Sequence, residues 1–109
     1  MIDEQRFRTV SEEALTKLQR ALERASEDFE FDVDRNEGAL TIEFDNPPAK
    51  FVVSPNSPVR QVWISARVKS FKLDWDQTQS TFVLAADGRT LHRLISDVVS
   101  EQSGESVTL

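Results

Sequence analysis

The chain has 109 residues, 19 Asp and Glu against 13 Lys and Arg, one His, no Cys and 39% hydrophobic residues, for a formal charge of -6. Without cysteine there is no disulfide scaffold, zinc ribbon, thiol redox centre or cysteine nucleophile, and one histidine leaves no His-rich metal site and no Ser-His-Asp arrangement with an imidazole to spare. The length suits one modest core, hence a single domain over 1–109, and the negative balance without a basic stripe argues against nucleic acid and for cations or a basic protein partner.

The first residues, Met1 to Arg6, carry two acids and no apolar run, unlike a secretory signal or transit peptide. No apolar stretch approaches the roughly 20 residues that span a bilayer. The expectation is a soluble, monomeric protein of the bacterial cytoplasm with no membrane association. From Phe7 to Ala25 apolar residues recur at Phe7, Val10, Ala14, Leu15, Leu18, Ala21, Leu22 and Ala25, the three-and-four spacing of one helical face. Ser11 is a candidate cap for an inner segment, but Phe7 and Val10 fit the same stripe, so the helix is placed earlier.

The period then changes to two. Phe29, Phe31 and Val33 alternate with Glu30, Asp32 and Asp34, the pattern of a strand with one buried and one wet face. A turn at Asn36-Glu37-Gly38 leads to a second alternation, Leu40, Ile42 and Phe44, completing a hairpin. Asn46-Pro47-Pro48 breaks it, since neither proline donates to a ladder. Lys50 to Val53 is a third strand and Gln61 to Ser65 a fourth, separated by the turn-rich Ser54-Pro55-Asn56-Ser57-Pro58. Phe71 to Trp75 and Thr81 to Leu84 are the fifth and sixth. After an Asp87-Gly88 turn, Thr90 caps a second helix whose apolar face is Leu91, Leu94, Ile95, Val98 and Val99, and Val107 and Leu109 give the tail something to pack with. Helix, six strands, helix predicts an α+β two-layer sandwich, both helices on one face of an antiparallel sheet of about six strands and the other face open to water.

Between Glu23 and Asp34 lie six carboxylates, Glu23, Glu27, Asp28, Glu30, Asp32 and Asp34, with only Arg24 to offset them. On a strand, Glu30, Asp32 and Asp34 project from one face at about 7 Å intervals. That is a ridge rather than a cage, suited to weak binding of iron or another hard cation, or to a basic protein surface. A solvated charged face accounts for the same residues. If Val62 and Ile64 point inward, Gln61, Trp63 and Ser65 share the open sheet face, where an exposed tryptophan is an interface anchor; the opposite alternation puts Trp63 in the core. Trp75 is read as core or rim, and His92, with no second nitrogen ligand nearby, as structural or solvent-facing. No nucleophile elbow, Gly-rich phosphate loop or metalloprotease helix occurs, so a binding module is expected and no catalytic residue is named.

These residues resemble the frataxin family, bacterial CyaY-like members included, over nearly the whole chain. The most specific piece is Pro58-x-x-Gln61-Val62-Trp63-Ile64-Ser65. Ser11-Glu12-Glu13-Ala14-Leu15-x-x-Leu18, Gly38-Ala39-Leu40-Thr41-Ile42, and Leu73-Asp74-Trp75 followed by Asp87-Gly88-x-Thr90-Leu91-His92-x-Leu94-Ile95 agree in order and spacing. The resemblance implies the same sandwich and a non-enzymatic role in iron-sulfur cluster assembly, through binding the cysteine desulfurase and scaffold protein and altering sulfur transfer. It implies weak iron binding, as Fe2+ or Fe3+, at Glu13, Glu23, Glu27, Asp28, Glu30, Asp32 and Asp34, and a partner-binding set of Ser54, Asn56, Gln61, Trp63 and Ser65. Rival readings are ferroxidase or iron-storage activity on the same carboxylates, and an acidic interaction module without an iron role. The chain departs from the family in having Ser54 where Asn is usual after the third strand, and Thr16, Arg20 and Arg24 where the helix usually carries acids. Those arginines are at helical spacing to pair with Glu13, Glu23 or Glu27, which would centre the ridge on Glu27 to Asp34.

Overall fold

An apolar stripe on a 3.6-residue period needs one surface to cover, and here that surface is a sheet. In the computed structural model, which describes residues 2–45 and 47–109, helix α1 runs Glu4–Ala25 and buries Phe7, Val10, Leu15, Leu18 and Leu22. Its N-cap is Asp3, whose Oδ1 accepts from the Arg6 amide at 2.8 Å. Ser11 lies mid-helix and buried, its hydroxyl donating to the Arg8 carbonyl at 3.3 Å, so the early start is correct and Ser11 caps nothing.

Six strands follow in one antiparallel meander, β1 (Asp32–Asn36), β2 (Ala39–Asp45), β3 (Pro48–Asn56), β4 (Gln61–Ala66), β5 (Lys69–Asp76) and β6 (Thr81–Val83), each paired with its neighbour in sequence. The β1–β2 hairpin turns on Glu37 and Gly38, both at positive φ (52° and 84°), as a two-residue loop matched to strand twist requires. Helix α2 (Leu91–Ser103) has Thr90 as N-cap, its Oγ1 accepting from the Arg93 amide, and Gly104 in the left-handed region at its end. The tail packs: the Val107 amide donates to Ser100 Oγ at 2.8 Å and that of Leu109 to Ser96 Oγ at 3.1 Å.

Both helices cover the same sheet face. Leu40, Ile42, Phe51, Val53, Val62, Ile64, Leu73 and Phe82 from the strands join Leu15, Leu18, Leu22, Leu91, Leu94, Ile95 and Val99 in one core. Each such side chain contributes about 1.5–3 kcal/mol of burial before the cost of chain ordering. Trp75 is a half-buried rim residue, its ring 5.2 Å from that of Phe82 and steeply tilted to it.

Several predicted boundaries are corrected, among them the start of the fifth strand, at Lys69 rather than Phe71. The first strand begins at Asp32, not Phe29: the chain leaves α1 through a turn in which the Phe29 amide bonds to the Ala25 carbonyl and the Phe31 amide to that of Phe29. Two further residues of β1 would also bring Glu30 opposite Asp45, a like-charge pair. The third strand starts at Pro48 rather than Lys50; Asn46, part of the predicted break, lies outside the described residues. It also continues through Ser54, Pro55 and Asn56, which pair with Trp63, Val62 and Gln61. Pairing between β2 and β3 ends at Leu40 and Val53, so beyond that point β3 has a free edge that tolerates a proline. The turn itself is the short 3-10 segment Ser57–Val59, closed by Arg60 at φ 53°.

Candidate functional site

Side chains alternate across a strand, so the buried set fixes what the other face displays. With Val62 and Ile64 at 0% and 1% exposure, Gln61, Trp63 and Ser65 face outward, and Trp63 is 36% exposed. The two readings of this segment are thereby decided for the open face. Register extends the map: Trp63 lies between Ser54 on β3 and Lys72 on β5, and Gln61 between Asn56 and Asp74. All five predicted partner-binding residues, Ser54, Asn56, Gln61, Trp63 and Ser65, thus share one outward patch. Ser54 is inside β3 and directly opposite the tryptophan, rather than after the strand.

The patch is internally bonded. Trp63 Nε1 donates to Gln61 Oε1 at 3.0 Å, and Gln61 Nε2 donates to Asp74 Oδ1 at 3.1 Å. The Lys72 ammonium sits 4.8 Å from the Trp63 ring centroid, a cation-π contact. Lys72 and Asp74 were not singled out from sequence. The alternation Phe71, Lys72, Leu73, Asp74 carries the signal, but only the β4–β5 register brings these two beside Trp63.

The acids divide. Glu13 and Glu23 are exposed on α1, ten positions and about 15 Å of helix apart. Glu27 and Asp28 lie in the turn after α1, and Glu30 in the bend before β1. Asp32 and Asp34 are on β1, opposite Glu43 and Thr41, on the outward face. The expected row of three strand carboxylates is therefore two, because Glu30 precedes the strand. Glu43 and Asp45, outward on β2, add to the same edge; the alternation put Glu43 on the wet side of its strand, but neither acid was counted in the ridge. Asp32 directly opposes Glu43, a like-charge pair offset in part by Lys50, which lies opposite Glu43 on β3.

Arg20 and Arg24 do not form the expected ion pairs. Among the described residues, pairs within 4 Å are Glu4–Arg8, Asp87–Arg89, Asp97–Arg89 and Asp97–Arg93. Also among the described residues, no three Asp, Glu or His side chains converge on a position where a metal ion fits. The ridge does not fit a resident ion; it supplies separate carboxylates and a negative field. His92 is half-buried on α2, and burial, with Lys17 nearby, holds its pKa below the usual value. It stands apart from both sets.

The outward face is thus polarised. Asp32, Asp34, Glu43 and Asp45 lie at the β1–β2 edge, and the Trp63 patch is centred on β4, two strand spacings (about 10 Å) across from the acids of β2 and three (about 14 Å) from those of β1. On β2 and β3 between them lie Thr41 and Val52, paired in register, and Lys50, exposed opposite Glu43. No helix of the described residues is long and apolar enough to cross a membrane.

A family model described as the frataxin-like domain matches residues 1–105. The iron-sulfur cluster assembly protein CyaY of Azotobacter vinelandii is 33% identical over 97 residues, covering 87% of each chain. Its namesake from Dechloromonas aromatica is 30% identical over 108 residues and 99% of each. The solved structure of a frataxin from Psychromonas ingrahamii superposes with a TM-score of 0.76 at 22% identity, covering 98% of this chain and 97% of that one, which shows the shared fold. With its sandwich, its Pro58 to Ser65 motif and a match over almost its full length, the chain belongs to the frataxin family.

Proposed function

We propose that this protein is an iron-sulfur cluster assembly factor that docks on a cysteine desulfurase and its scaffold protein through the open sheet face and modulates sulfur transfer without being an enzyme itself. The observation that carries this reading is the placement of the acidic β1–β2 edge and the Trp63 patch on one uncovered face. The names of the relatives, iron-sulfur cluster assembly proteins, support the process. A row of exposed acids draws a basic surface from a distance and raises the rate of encounter, while a central aromatic surrounded by small polar residues holds the complex once formed. Iron is proposed as a weakly held cargo of the same carboxylates, exchanging among single sites rather than seated in one.

The experiment is a titration of isotope-labelled protein, first with the desulfurase and scaffold, then separately with ferrous iron. Addition of the partner complex is expected to shift or broaden the Trp63 indole signal and the amides of Val52, Ser54 and Ser65, leaving Arg93 and Glu101 on α2 unchanged. Iron is expected to broaden the amides around Asp32 and Asp34, with most of that broadening lost when Glu30, Asp32 and Asp34 are replaced by their amides. Perturbation confined to α1 and α2 would contradict the docking face, and unchanged iron broadening in the triple variant would contradict the cargo site.

A further inference from the structure

In the bonded block around Trp63, the three partners have fixed hydrogen-bond polarities. An indole N–H only donates, an ionised carboxylate only accepts, and an amide side chain does both at opposite ends. Asp74, placed opposite Gln61 by the β4–β5 register, takes the amide NH2 at 3.1 Å. The amide oxygen is left directed along the strand, where it accepts from Trp63 Nε1 at 3.0 Å. Reversing the amide would set its NH2 against the indole N–H and its oxygen against the carboxylate, losing both bonds at once. The carboxylate at position 74 therefore selects one orientation of Gln61, and Gln61 in turn ties down one edge of the Trp63 ring while Lys72 lies over its face.

We infer that Asp74 is a positioning residue, which through the Gln61 amide holds the Trp63 indole in a single orientation on the open sheet face before any partner arrives. The consequence for binding rests on the docking function proposed above; the orientation itself is a property of the free protein. An anchor that is already ordered loses less rotamer freedom on association, and what it gains is a slower dissociation. Asp74 is exposed and at some distance from the acidic edge, on the far side of the sheet centre, so its role differs from the long-range attraction assigned to Asp32 and Asp34.

The test uses the full chain and three variants, Asp74→Val, Asp74→Asn and Trp63→Phe. In the free protein, Asp74→Val is expected to move the Trp63 indole N–H resonance toward that of a water-bonded indole and to raise its fast-timescale mobility. Asp74→Asn, which keeps one acceptor oxygen but allows either amide orientation, is expected to fall between Asp74→Val and the parent. Loss of charge alone would make the two variants equal, and equality, or an unmoved resonance in Asp74→Val, would overturn the inference. With the desulfurase and scaffold complex, Asp74→Val is expected to speed dissociation roughly 2- to 10-fold, the effect of one net hydrogen bond. In the Trp63→Phe background, where there is no indole N–H to hold, it should do nothing further. An equal loss in both backgrounds would show Asp74 touching the partner directly and would overturn the positioning role. Failure of the parent protein to bind would contradict the docking reading alone, because the free-protein resonances still decide whether Asp74 sets the ring.

Discussion

Trp63 and Ile64 are consecutive residues of β4, yet one is 36% exposed and the other 1%. That contrast runs through the whole sheet. On one face Leu40, Ile42, Phe51, Val53, Val62, Ile64 and Leu73 are sealed under two helices, and on the other Asp32, Asp34, Thr41, Val52, Ser54, Trp63, Lys72 and Asp74 remain uncovered. The same backbone hydrogen bonds support both. Stability is concentrated in the first face because apolar area leaves water there, and the docking proposed above is assigned to the second because its charges and its large ring stay in water. A charged pair such as Asp32 opposite Glu43 is tolerable only on the uncovered face, where water screens it.

Substitutions at the two adjacent positions should separate these roles. Ile64→Ala is expected to lower unfolding free energy by about 2–5 kcal/mol, read from denaturant midpoints, because it opens a cavity in a filled core. Its folded fraction should still bind the assembly complex with parental affinity. Trp63→Ala is expected to cost less than about 1 kcal/mol of stability, the scale of its contact with Lys72 and its cross-strand pairing. Similar destabilisation by both would erase the distinction between the faces.

A smaller effect belongs to the helical layer. Burial, with Lys17 nearby, lowers the His92 pKa from its ordinary value of 6.5, so the unfolded chain takes up this proton at higher pH than the folded one. The stability associated with neutral His92 is complete above 6.5 and is lost as pH falls through that value toward the lower folded-state pKa. His92→Gln should therefore reduce the loss of thermal stability between about pH 7 and pH 5, measured as Tm against pH. An unchanged slope would assign that loss to other groups. Trp63→Ala, on the far face, should leave the slope as it is.

Much of this was legible in the residues themselves. The stripe from Phe7 to Leu22 and the alternation of Leu40, Ile42 and Phe44 left little freedom, and the number, order and sense of the strands followed. The orientation of Trp63 was not legible, because Val62-Trp63-Ile64 is apolar at all three positions and alternation has no polar residue inside it to read. It took the cover of two helices on Val62 and Ile64 to decide it. Glu30 was misplaced for a related reason: Phe29, Phe31 and Val33 keep a two-residue period, but the backbone before Asp32 is already used in leaving α1. The extension of β3 through Pro55 depends on where β2 stops, which is a property of the sheet and not of the segment. Glu43, Lys72 and Asp74 became candidates only through register, which places residues far apart in sequence side by side.

In the proposed docking the open face divides its work, with the β1–β2 acids governing encounter and Trp63 governing residence. The measurement that tests it most directly is the salt dependence of association and dissociation rates with the desulfurase and scaffold complex, for Trp63→Ala and for Asp32→Asn combined with Asp34→Asn. Trp63→Ala is expected to speed dissociation by tenfold or more, roughly the effect of a hot-spot residue, at every salt concentration. The double aspartate variant is expected to slow association at low salt and to approach the parent as screening grows. The same salt sensitivity and the same rate affected in both variants would contradict that division.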